Sequence, residues 1–326
     1  MRVSKVWCQP IVAKNSLDRF QKKLKKVKND LKGWGANVRG QSIPRKKNLV
    51  NELSELEAVE ETAFLSAGQM RRRSEIQRDL LDLLAEEEEF WRQRAAETWL
   101  LKGDNNTEFF HRIANGRKRK KTIFSLRNNA DIIQGTPDLL NHATNFYKNL
   151  FGPTTIPAFK MDDNVWEFGE KLSDEDKEEI DKSFSEEEIK TAIEQMEKNK
   201  APGQDGFPIE FYQACWSIIK DDLLRVFDDF HSHMIVLSSI NYGIITLIPK
   251  TEDADIIQKF RPICLLQVLF KIITKVMTNR MEGVVQKIIH PCQSAFIKGR
   301  YIHDSVALLQ EILRDAKVSK LPGVVL

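Results

Sequence analysis

The sequence predicts an α+β chain, mainly helical in its first half and mixed toward its C-terminus. Three observations carry that expectation. Charged residues make up 30% of the 326 positions, a proportion that favours long solvated helices over an all-β domain. Apolar residues recur at spacings of three and four through most of the first ninety positions. The stretch Tyr242 to Ile248 is rich in β-branched residues, the signature of a strand. The length admits one large domain or two ordinary ones. We expect a helical basic region over 1–151, an acidic linker over 152–184 and a mixed unit over 185–326.

The first helix is expected from Asn15 to Trp34, where Leu17, Phe20, Leu24, Val27, Leu31 and Trp34 form one apolar stripe and lysines fill the other face. Gly33 and Gly35 are expected to end it. A second helical stretch starts after Pro44 and carries Leu49, Leu53 and Leu56. A break is expected at Ser66-Ala67-Gly68. A third stretch carries Ile76, Leu80, Leu83 and Leu84 into the acidic run Glu86–Glu89. These helices suit an antiparallel hairpin or packing on another domain. Trp99-Leu100-Leu101 leads into a turn-rich cluster at 103–107. A short helix is expected from Leu139 to Phe151, closed by Gly152-Pro153. The acidic, Pro-containing stretch after it reads as a linker.

Ser185 with Glu188 is a capping-box pattern opening a helix through Met196. A turn follows at Pro202-Gly203-Gln204-Asp205-Gly206. A long helix is expected from Pro208 to Phe230, with Ile209, Tyr212, Trp216, Ile219, Leu223, Phe227 and Phe230 inward. After the strand at 242–248, stopped by Pro249, come a helix over 267–289, with Ile272, Ile273, Val276 and Val284 inward, and another over 303–316. Val324-Val325-Leu326 reads as the opening of a buried strand.

Charge narrows the function classes. Residues 1–48 hold 14 Lys/Arg against 2 Asp/Glu, whereas residues 160–188 hold 4 against 13. A basic arm ahead of an acidic stretch suits a polyanion partner on one side only. The five cations Arg117, Lys118, Arg119, Lys120 and Lys121 repel one another, so they are either solvated or neutralised by phosphate. No apolar run spans a bilayer, which argues against a membrane partner, and Met1 to Pro10 lacks a secretory leader's apolar stretch. Cys8, Cys215, Cys264 and Cys292 are far apart, so a reducing compartment, nuclear or cytoplasmic, is the natural reading. His231, His233 and His290 read as surface or helix-end histidines, because tetrahedral zinc needs four converging ligands.

Four segments stand in order: NKAPGQDGFPIEFY (199–212), ITLIPK (245–250), FRPICLL (260–266) and QSAFIKGR (293–300). Together they resemble the fingers and early palm of reverse transcriptases from plant-type LINE (non-LTR) retrotransposons. WLLKGDNNTEFFH (99–111) and FYKNLF (146–151) resemble the region joining endonuclease and polymerase in the same elements. The resemblance implies an incomplete fingers/palm unit after a helical connector, with RNA-directed DNA polymerase as the parent activity. Its implied partners are an RNA and DNA template–primer and deoxynucleoside triphosphates.

The chemistry of the residues agrees with that reading. A polymerase holds a triphosphate with cations on a rigid element. Lys250 ends a strand immediately after Pro249, Arg261 follows between Phe260 and Pro262, and a hairpin would bring both to one face. The resemblance gives them the nucleotide phosphates. The plain alternative is a surface lysine and a structural arginine. The resemblance also places Gly203 and Asp205 along the template backbone, with Gln204 standing where a proline is commoner, and Gln293, Phe296, Lys298 and Arg300 near template and primer. An Asx-turn explains Asp205 more simply than catalysis does, and ordinary core is the plain alternative for Phe296.

Metal-dependent phosphoryl transfer uses carboxylates to hold Mg2+. In the family these come from a Lys-x-Asp segment continuing the strand begun at Val324 and from an aromatic-Ala-Asp-Asp hairpin. Neither motif occurs here, and no Asp or Glu follows Asp315. The expectation is a catalytically incomplete chain with no catalytic or metal residues of its own, a truncated gene product or a decayed element copy. Two other classes remain: a helical nucleic-acid-binding or interaction protein, and a translation product without selected function.

Overall fold

The computed structural model describes residues 2–95, 109, 112–113, 115–116, 122–129, 131–152, 172–289 and 293–320. Its elements are α1 (Arg2–Trp7), α2 (Ser16–Thr62), α3 (Ala67–Ala95), β1 (Ser125–Asn128), β2 (Asp131–Gln134), α4 (Thr136–Phe151), α5 (Asp174–Asp181), α6 (Glu186–Gln195), α7 (Ile209–Ala214), α8 (Trp216–His231), β3 (Ile244–Pro249), β4 (Phe260–Leu265), α9 (Val268–Ile288) and α10 (Ile302–Val318). Helices dominate, and the strands form two separate two-stranded sheets, β1–β2 and β3–β4. This is the α+β organisation expected. No helix among the described residues is long and apolar enough to cross a membrane. The basic run 117–121 and the expected strand at 324–326 lie outside the described residues.

Two compact units divide the chain. One comprises Met1–Leu24, Thr154–Ile244 and Cys264–Leu326, the other Lys25–Pro153 and Ile245–Ile263.

In the first unit, Ile219, Leu223, Val226 and Phe227 of α8 and Ile272, Ile273 and Val276 of α9 are buried, as are Ile189 and Ile193 of α6. The N-terminal segment completes this core. The Trp7 and Phe20 rings meet edge to face at 5.3 Å, and Phe20 stacks on Tyr212 at 6.3 Å. Trp7 Nε1 donates to Asp222 Oδ2 at 2.8 Å, and Lys23 Nζ donates to the same oxygen at 2.6 Å. Asp222 is buried, so its carboxylate needs both donors to offset lost hydration.

Arg280 of α9 is a second anchor. Its Nε and Nη2 form a fork on Glu188 at 2.7 and 2.9 Å. The same guanidinium donates to the carbonyls of Ile180, Lys182 and Ser183 and lies over the Phe184 ring at 4.2 Å. The expected capping box is present: Glu188 N–H donates to Ser185 Oγ and Ser185 N–H to Glu188 Oε2. Arg280 holds the Glu188 carboxyl down at about 2, with burial opposing and the cap assisting.

In the second unit, α2 and α3 form the antiparallel hairpin that was one of the two arrangements expected, tied by Arg45–Asp79, Lys46–Glu87, Arg72–Glu52 and Arg73–Glu60. Ser66 and Gln69 cap the start of α3 reciprocally, at the break expected there. In α4, Tyr147 is buried and packs with Phe146 and Phe151.

Several expectations need correction. Gly33, Gly35 and Pro44 do not interrupt α2, which runs on to Thr62. A helix-interior glycine costs about 1 kcal/mol and a proline about 3 kcal/mol. Just after Pro44, the exposed ion pairs of Arg45 and Lys46 with α3 and the buried Leu49 offset part of that cost. Trp34 is not on the core stripe but 49% exposed. The helix expected from 208 to 230 is broken at Cys215, whose φ of −105° and ψ of 13° leave the helical region. The stretch 152–184 is not all linker: α5 lies within it, capped by Ser173 and with three acidic residues in its first turn, where the helix dipole favours them. The β1–β2 ribbon was not foreseen. It pairs Ser125 with Gln134 through Asn128 with Asp131 around a left-handed Asn129 (φ 56°).

Candidate nucleic-acid interface

The β3–β4 ribbon joins the two segments whose proximity matters most. The Lys250 N–H donates to the Lys259 carbonyl at 2.8 Å, so the end of β3 meets the start of β4 in hairpin fashion. Strand alternation then separates two faces. Ile248 and Arg261 are exposed while Leu247 and Pro249 are half-buried and Phe260 is buried. With Lys250 opposite Lys259, Ile248 lies opposite Arg261, so Lys250 and Arg261 fall on one face of the ribbon, while Pro262 and Cys264 of the other face are exposed as well. Lys250 Nζ donates to the Gln258 carbonyl at 2.8 Å, which fixes the ammonium beside the connecting loop.

Two further cations gather at that loop. Asp255 accepts from Lys259 Nζ at 2.7 Å and from Arg127 Nη2 at 2.5 Å, and its backbone carbonyl accepts from the Arg127 N–H. Lys259 holds the Asp255 carboxyl below its ordinary range, with Arg127 adding to the effect. The same loop also carries Glu252 and Asp253, so the four cations at this end of the ribbon stand beside three carboxylates. Sequence reasoning missed Arg127 and Lys259. Lys259 adjoins the FRP segment and was within reach, whereas nothing in the sequence joins Arg127 to a loop 128 residues on.

The 202–206 turn belongs to the first unit. Gly206 N–H donates to the Gly203 carbonyl at 3.0 Å, and Gly206 takes a φ of +79°. A β-carbon on Gly203 would lie 2.6 Å from Gln267 Cα and N, so the turn's backbone lies directly against the start of α9. Phe207 N–H donates to Asp205 Oδ1 at 3.4 Å, the Asx geometry expected of Asp205. The Tyr212 hydroxyl is buried, and both burial and the Asp205 charge push its ionisation well up.

The 293–300 segment, also in the first unit, is held by its own arginine. Arg300 donates to the carbonyls of Gln293 and Ile289 at 2.9 Å each and to Gln286 Oε1 at 3.1 Å. Gln286 returns a bond to the Lys298 carbonyl at 2.7 Å, and Lys298 pairs with Glu282. Gln293 donates to the Ala295 carbonyl at 3.4 Å. Arg300 thus shapes the loop from within. Gly299 has a φ of +82° and Phe296 a φ of +65°. The Phe296 ring is fully exposed, which overturns the core alternative and leaves an aromatic face open to solvent.

Among the described residues no group of three or more His, Cys, Asp or Glu is placed to hold a metal ion. The Mg2+ implied by the resemblance therefore finds no donor set in them. Cys8, Cys215 and Cys264 are free thiols.

No protein-family model matches the sequence. A stretch of 215 residues, 66% of this chain, is 29% identical to the transposon TX1 uncharacterized 149 kDa protein of Xenopus laevis, of which it covers 16%. That likeness connects the chain to proteins encoded by transposable elements.

Proposed function

We propose that the chain is a fingers and early-palm portion of a LINE-type retrotransposon reverse transcriptase that grips nucleic acid and nucleotide phosphates but lacks the carboxylates for synthesis. The observation that carries this reading is the shared face of Lys250 and Arg261 on the β3–β4 ribbon. Similarity to a transposon protein supports it independently. In this reading the two cations approach the triphosphate. The 202–206 turn runs beside the template strand, and the 293–300 loop presents Phe296 to template or primer.

The binding half is tested by fluorescence anisotropy of a labelled RNA–DNA template–primer across a salt series. Binding should weaken steeply with salt. Arg261→Ala and Lys250→Ala should each reduce the slope of log K against log salt by roughly one phosphate contact. A wild-type slope near zero removes the reading. The synthetic half is tested by primer extension with Mg2+, which should yield no product from this chain; measurable nucleotide incorporation overturns the claim that it is incomplete.

A further inference from the structure

The first unit contains a cleft of about 340 Å3 that the reading above does not use, lined by Lys190, Ile193, Glu194, Lys198, Gln213 and Trp216. Its floor is Ile193, fully buried, and its wall is the half-buried Trp216 ring. Gln213 has a fixed orientation: its Nε2 donates to the carbonyls of Ile193 and Met196 at 2.9 and 3.3 Å, closing the end of α6. That leaves Oε1 buried with no hydrogen-bond partner. A buried acceptor in this state calls for an N–H or O–H donor. At the rim, Lys190 sits 3.9 Å from Glu194, at the outer limit of an ion pair, and exposed Lys198 carries a further positive charge.

We infer that this cleft takes one unstacked nucleobase of a single strand: the ring lies on Trp216, a base N–H donates to Gln213 Oε1, and the adjoining phosphate meets Lys198 and Lys190. An aromatic platform, an acceptor matched to a base edge and cations beside it are the elements of single-strand recognition. An acidic peptide would satisfy the lysines but leave the tryptophan face and the buried oxygen unused. The inference rests on the nucleic-acid reading above, and it assigns that strand a second contact on α6–α8.

The test is anisotropy of the full chain with a labelled 12-nucleotide oligoadenylate and with an abasic oligomer of equal length. Removing the bases should weaken binding roughly tenfold, and Trp216→Leu should do the same to the intact strand. Trp216→Phe should stay near wild type. Lys198→Ala, on the exposed rim, should lower the salt slope by about one contact. A Trp216→Leu protein that fails to fold shifts the decision to Lys198→Ala and the abasic arm. Equal binding of intact and abasic strands, with Lys198→Ala unchanged, overturns the inference while leaving template–primer binding standing. Competition by oligoglutamate as strong as by oligoadenylate also overturns it. Absence of any single-strand binding overturns the inference, and absence of template–primer binding as well removes the broader reading.

Discussion

Replacing Arg280 by alanine tests whether one side chain organises the contacts of α5, α6 and α9. The substitution removes a fork on Glu188, three donations to backbone carbonyls and a cation over Phe184. The Arg280 side chain is 10% exposed and that of Glu188 36%. Breaking a fully buried pair from one side costs about 3–5 kcal/mol. Because Glu188 keeps substantial contact with water, and some freed carbonyls can rehydrate, we expect about 2–3 kcal/mol. Arg280→Lys keeps the charge but not the fork and should recover less than half of the loss. Urea unfolding followed by far-UV circular dichroism measures the change. A pH series adds a second readout. The Glu188 carboxyl titrates at about 2 in the folded chain against an ordinary 4.5. A depressed carboxylate contributes stability that is fully present above the ordinary value and is lost as pH falls toward the folded one. The stability gap between wild type and Glu188→Gln should therefore be constant above about pH 5 and shrink between 4.5 and 2. A loss below 0.5 kcal/mol for Arg280→Ala, together with a double-mutant coupling to Glu188 indistinguishable from zero, would refute the argument.

Gly203→Ala places a methyl against the backbone of Gln267 at 2.6 Å, so the turn or α9 must shift; we expect about 1–3 kcal/mol of destabilisation in the same urea assay. Ser185→Ala removes the cap of α6 and should cost about 1 kcal/mol, with Ser185→Gly costing less. Asp222→Ala strands the Trp7 indole N–H and the Lys23 ammonium in a buried setting. It should cost about 2–4 kcal/mol and redshift tryptophan emission; an unchanged melting temperature would show that the N-terminal segment is not part of the core.

Much of this architecture can be read from residue order where local chemistry and burial agree. The Ser185–Glu188 box, the inward residues of α9 and the β-branched run of β3 each carry a local signal that packing does not contradict. The candidate site was legible in part: the β-branched run before Pro249 puts Lys250 at a strand end, whereas the strand at 260–265 shows no apolar alternation and its register rests on the bond between Lys250 and Lys259. Other features depend on partners far away in sequence. Pro44 reads as a break because the Arg45–Asp79 and Lys46–Glu87 pairs just after it span 34 and 41 residues. α5 has no buried residue and so no apolar period to detect. The β1–β2 ribbon buries only Leu126 among its residues, too little for a strand pattern. The Gln213 acceptor arises from a bond to the end of α6 twenty residues earlier, a relation that periodicity does not express.

The knot of Trp7, Phe20, Tyr212 and Asp222 has a consequence during synthesis. The indole leaves the ribosome 215 residues ahead of the carboxylate that receives it. At about 5–20 residues per second, that wait is roughly 10–40 s, during which Trp7 and the first turns of α2, through Lys23, lack the carboxylate that receives them. Nascent chains of this protein should therefore engage chaperones or polyanions early, and an N-terminal deletion that spares every motif should still leave the late-made core unfinished.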